Sequence, residues 1–215
     1  MSGKLNHYDI FEVIDTFAIK KNRNCEILKN WMNVSGTFNA FEAQLMEEVR
    51  LELELKWDEW NEEELKMNFI SFVLFTAKVH EQDTINTFFE RKLSGTVNDI
   101  DISLIVDCML ASPTNSGLPK FPYFFLQEYK RSLGDNHDPE GQMLAAMILS
   151  QHLNQNEKRQ VARPLYGCWL QGKNWNFTVL TGLNYCVSKQ YDATDPDDLL
   201  QIVFILRKLK ELILA

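Results

Sequence analysis

FFLQEYKR, residues 124–131, is the stretch that decides how this chain is read. Apolar residues run straight into Gln127, Glu128, Tyr129 and Lys130. The aromatic and branched content predicts a strand. Strand side chains alternate between faces, so Phe124, Leu126, Glu128 and Lys130 share one. That face opens apolar and closes with a carboxylate and an ammonium. A core strand needs a physical reason to carry those two charges.

The frame around it is ordinary. The chain has 215 residues, 45% hydrophobic and 24% charged, which suits one domain with an extension. A core of useful size fits in that length. The formal charge of −8 disfavours a strong, non-specific duplex coat, which draws its affinity from Lys and Arg on phosphates. It leaves room for a local basic groove or a metal-bridged phosphate. Cys25, Cys108, Cys168 and Cys186 form no CxxC pair. His7, His80, His137 and His152 form no HExxH. Zinc is therefore not expected, and cysteines within apolar runs are expected to act as small hydrophobes. No apolar run reaches the roughly 18 residues of a membrane helix. MSGKLNHYDIFEVID lacks the apolar stretch of a signal peptide, so the expected location is cytoplasmic, without a membrane partner.

Residues 1 to about 35 read as short helical pieces. From Phe38 to Trp60, apolar residues recur every three or four positions, a helical stripe with a glutamate-rich outer face. Asn61 is an N-cap for a second helix that turns apolar nearly all round. TINTFFERKLSGTVNDI and DISLIVDCMLAS read as strands meeting at Asn98-Asp99. PTNSGLPKFP is a loop before the strand that opened this reading. Asp138 and Pro139 start a helix over GQMLAAMILSQHL. RPLYGCWLQGKNWNFTVL folds back as a hairpin, LNYCVSKQYDA adds a strand, and Asp195-Pro196 starts a last helix. The expected class is α/β, a mixed central sheet flanked by helices. Residues 1–61 are expected as an N-terminal helical extension and 62–215 as the α/β core.

The chemistry gathers on two strands. Asp107 lies in the apolar run IVDCMLA, where Ile105, Asp107 and Met109 are expected on one face. A symmetric hairpin centred on Ser116-Gly117 sets Pro113 against Pro122 and Asp107 against Glu128. Opposed side chains lie about 5 Å apart at Cβ. Two carboxylates so placed repel unless a cation joins them. Lys130 supplies one positive charge, and a divalent metal would supply the rest. Mg²⁺ (or Mn²⁺) takes carboxylate, water and phosphate oxygens. Held by Asp107 and Glu128, it would activate a water beside a phosphate, with Lys130 countering the charge that grows there. A solvated Glu–Lys pair and a turn-capping Asp107 is the plainer alternative.

The pattern D-x20-E-x-K, followed by a helix, resembles the PD-(D/E)XK nuclease superfamily. The order of helix, three strands, helix and strand is similar to its restriction-endonuclease-like core (αβββαβ), over about residues 62–180. The resemblance implies metal-dependent hydrolysis of a phosphodiester in DNA. It implies Asp107 and Glu128 as metal ligands and Lys130 as the catalytic lysine. Val106 stands where the family often has proline. A glutamate on the first core helix is also implied: Glu63, with Glu62, Glu64, Glu47 and Glu48 as rivals. A glutamine on the following helix fits Gln142. Arg131, Lys120, Arg163 and Lys173 would form a basic rim, with Tyr129, Tyr166, Trp169 and Trp175 as stacking surfaces or as core. The rival expectation is a catalytically silent fold acting through a protein partner or a second copy of itself. The N-terminal helices, with exposed Trp57 and Trp60, would be its surface.

Overall fold

The computed structural model describes residues 3–5, 8–130, 138–156 and 163–215. In chain order the elements are β1 (Gly3–Lys4), α1 (Ile10–Phe17), β2 (Lys20–Asn22), α2 (Glu26–Met32), α3 (Ala40–Lys56) and α4 (Glu62–Leu65). A π-helical stretch (Lys66–Ile70) joins α4 to α5 (Ser71–Ala77). Then come β3 (Asn86–Val97), β4 (Ile100–Pro113), β5 (Pro119–Lys130), α6 (Pro139–Asn156), β6 (Leu165–Gln171), β7 (Asn174–Thr181), β8 (Asn184–Asp192) and α7 (Pro196–Leu214).

The local signals act where the side chains demand. Asn98 and Asp99 both take positive φ, 49° and 63°, the geometry of a two-residue hairpin turn. Asn39 and Asn61 each form a reciprocal capping box, opening α3 and α4. Asp138 Oδ1 accepts from the backbone N–H of Glu140 and Gly141 at the start of α6. Its Oδ2 accepts from Ile10 N–H at 2.8 Å, so the carboxylate that starts α6 also takes a first-turn N–H of α1, whose own N-cap is Asp9. Gly141 is needed there, since a Cβ would run into the Tyr8 carbonyl.

The strands form one mixed sheet ordered β1-β4-β5-β6-β7-β8-β2, with β3 also paired to β4. β3, β4 and β5 are antiparallel, β5 and β6 parallel, and β6, β7 and β8 antiparallel. Helices cover both faces. One core joins the sheet to α2, α3, the α4–α5 rod and α7. The other joins it to α1 and α6. The mixed α/β class stands as expected.

Residues 1–61 are more than a helical extension. β1 pairs in parallel with β4 and β2 with β8, and α1, α2 and α3 supply residues to the two cores. No separate core marks off that segment. Trp60 is buried and Trp57 half-buried, so neither forms the exposed surface expected of them. Burying large apolar area outweighs leaving it wet. Cys25 and Cys186 form a disulfide across 161 residues of sequence, while Cys108 and Cys168 are free and buried. Among the described residues, no helix is long and apolar enough to cross a membrane.

Candidate active site

The site begins with a slip in strand phase. Along β4, Ile102, Leu104 and Val106 enter the α6-side core, while Asp101, Ser103 and Ile105 point outward. Past Asp107 the phase changes: Met109 and Ala111 take the α6 side, and Cys108 and Leu110 enter the opposite core. Ile105 and Met109 therefore do not share a face as expected. β3 slips at the same level, because Phe88 and Leu93 both face α6. Phe89 pairs with Cys108 and Arg91 with Val106, leaving Glu90 and Asp107 between them. Glu90 has φ 51°, a left-handed conformation that breaks the alternation. Non-glycine residues adopt it at a cost of about 1–2 kcal/mol.

β5 approaches on the other side. Cys108 pairs with Gln127, the frame that sets Asp107 against Glu128. At the loop end, two register shifts set Pro113 against Pro119 instead of Pro122. Beyond Gln127, β5 pairs with β6 alone. The Asp107 carboxylate fills the gap: its Oδ2 accepts from Tyr129 N–H at 2.9 Å. The Tyr129 hydroxyl donates to the Asp107 carbonyl at 3.2 Å.

Three charged groups meet at this splayed point, with Asp107, Glu128 and Lys130 only 8%, 2% and 7% exposed. Lys130 Nζ lies 4.0 Å from Asp107 Oδ2 and 3.3 Å from Glu62 Oε1. It also donates to the Tyr129 carbonyl at 3.2 Å. The helix glutamate that arrives is Glu62. Glu63 is 71% exposed at its side chain and binds Lys66 at 2.5 Å instead. Lys66 also reaches Glu90 at 2.5 Å and sits 5.7 Å above the Tyr129 ring.

Burial lifts the Asp107 carboxyl above its ordinary range, although Lys130 and the Tyr129 N–H pull it down. Glu128 is driven up much further, first by burial and then by the Asp107 charge. Burial works against the Lys130 charge, but Asp107, Glu128 and Glu62 outweigh it and hold the ammonium above its usual value.

These residues fit a hard cation. Glu128 Oε1 is buried without a partner, and three acids surround one ammonium. Among the described residues, no group of three His, Cys, Asp or Glu side chains is arranged to hold a metal alone. Asp107 and Glu128 would hold it, with water and phosphate oxygens completing its coordination.

Other expected members lie elsewhere. Gln142 is half-buried on α6; its Oε1 has no partner among the described residues, and no hydrogen bond ties it to the acids. Among the described residues the basic rim does not assemble. Arg163 donates to the Ile213 carbonyl, Lys173 pairs with Asp192, and Arg131 lies outside the described residues. Lys120 is exposed beside the β4–β5 loop. Tyr129, Tyr166 and Trp175 are core residues and Trp169 is half-buried, so none is a free stacking surface. Two residues escaped sequence reasoning. Glu90 gave no signal inside its strand. Gln127 did, as a polar residue within an apolar run; it is fully buried with both amide atoms unpaired. The sequence matches no protein-family model and no curated protein.

Proposed function

We propose that this chain is a metal-dependent nuclease of the PD-(D/E)XK kind, hydrolysing phosphodiesters in DNA. One observation carries the reading: Asp107, Glu128 and Lys130 converge where β4 and β5 part, with Glu62 at the same lysine. The run from α4 through β3, β4, β5 and α6 to β6 supports a restriction-endonuclease-like core.

Asp107 and Glu128 would hold Mg²⁺ or Mn²⁺, and the chemistry such an ion would supply is polarisation of the phosphate and a more acidic water. The chain's own groups do the rest. The Tyr129 N–H fixes the Asp107 carboxylate. Glu62 and Asp107 hold the Lys130 ammonium beside the acids. From there it orients a water and offsets charge on the phosphoryl oxygens. Glu128 would have to be ionised to serve as a ligand, since a carboxylate and not an acid binds the ion.

The test is divalent-dependent cleavage of DNA by the full chain. Asp107→Ala and Lys130→Ala should each lower it by about a thousandfold or more while the fold survives. Full activity in either variant removes the mechanism. The second reading, a silent fold acting through protein contacts, draws on the large apolar side chains that α3 and α5 leave in solvent, Phe41, Leu55 and Phe75. Calorimetry decides between them: no Mg²⁺ or Mn²⁺ binding at millimolar concentration favours the silent fold.

A further inference from the structure

The phase slip at Glu90 and Asp107 leaves one sheet face open beside the acids. Before it, on β4, every second residue is buried against α6, and its neighbours Asp101, Ser103 and Ile105 are exposed. Ile105 is 58% exposed there, opposite Lys92. One level further out, Ser94 and Ser103 pair, both exposed. Phe89 lies on the other side of the slip, 39% exposed and paired with buried Cys108. An aromatic ring, a branched aliphatic side chain, an ammonium and two hydroxyls thus flank the acid pair on one surface.

We propose that this open β3–β4 face holds the unpaired bases of single-stranded DNA as it enters the site. The proposal rests on the nuclease reading and adds a substrate class to it. Continuity with the Glu90–Asp107 level ties the face to the phosphate chemistry. The balance of charge selects the strand form. Duplex affinity scales with the number of phosphates neutralised, and this face offers Lys92 against Asp101, with Glu90 already paired to Lys66. Stacking needs no such surplus, because every base has a π face. Phe89 and Ile105 supply apolar contact on either side of the acids, and Lys92 meets one phosphate.

Fluorescence anisotropy of the metal-free protein tests this, with a labelled oligothymidine of about 12 nucleotides and its duplex with oligoadenine. The single strand should bind more tightly than the duplex. Phe89→Ala and Ile105→Ser should each weaken it by about tenfold, the scale of one lost base stack. Lys92→Ala should weaken it only severalfold and flatten the salt dependence by about one phosphate contact. Both apolar positions are solvent-facing, and unchanged melting temperatures confirm that the variants fold. Equal binding of duplex and single strand, wild-type affinity in both apolar variants, or no binding of the single strand overturns the proposal. Failure of the nuclease reading appears separately, as absence of Mn²⁺-dependent hydrolysis of bis(p-nitrophenyl) phosphate by the wild-type chain.

Discussion

Glu42 and Glu128 are both buried glutamates, and they are held in opposite ways. Glu42 opens α3 and receives Arg207 at 2.8 Å and Lys78 at 3.1 Å. The Asn39 N–H adds a third donor. Burial alone would raise its pKa, but hydrogen bonds from Arg207 and Lys78 bring it down to about 2. Glu128 has Asp107 as neighbour, an unpartnered Oε1 and a pKa driven upward. The first carboxylate is completed by its own chain and ties α3 to α7 and to the end of α5. The second is left incomplete, a costly state in a low-dielectric interior. A fold tolerates such a group where something from outside completes it.

Substitutions at the two poles should separate stability from chemistry. The largest effect is expected at Lys130→Met: metal-dependent cleavage falls by about a thousandfold or more, with little change in melting temperature. A variant that unfolds instead makes Lys130 structural and erases the contrast. Next, Glu42→Ala strands the Arg207 charge and should cost about 2 kcal/mol, read by urea unfolding. Glu128→Gln should do the reverse, removing a carboxyl whose ionisation is opposed by burial and by the Asp107 charge. In chelator its melting temperature should rise by about 2–4 °C, the equivalent of 1 kcal/mol in a chain of this size. A fall there would show that Glu128 is as well satisfied as Glu42.

Acid sharpens the same contrast. The Glu42 pKa is depressed to about 2 from 4.5, so its contribution is whole above the unfolded value and fades as pH falls toward the folded one. The stability gap between wild type and Glu42→Gln should shrink between pH 5 and about 2 in urea melts. The smallest effect is expected at Lys78→Ala, because that side chain is 69% exposed. Its loss should cost about 0.5 kcal/mol, fading with added salt.

Much of this was legible in the sequence because local chemistry fixed it. Asn98-Asp99, Asn61 and Asp138 announce a turn and two helix starts, and the structure uses them so. The register of Asp107 with Glu128 followed from counting outward from the loop, although shifts at Ala111 and Ser112 broke that count nearer the loop. The apolar stripe from Leu65, extended back as a regular helix, points to Glu63, yet Glu62 is the glutamate that reaches Lys130. The π-helical stretch from Lys66 inserts an extra residue, and the face before it no longer follows from the face after it. Glu90's left-handed turn had no signal, since glutamate is not a residue that announces one. The pairings of β1 and β2 and the Cys25–Cys186 bond depend on partners far along the chain, which no local pattern encodes.

Those distant pairings set an order of events. Among the described residues, Lys20–Asn22 has one strand neighbour, and it begins at Asn184. A nascent chain cannot close that seam until β8 has left the ribosome. The β2 segment settles late, and β8 waits with an open flank until it arrives.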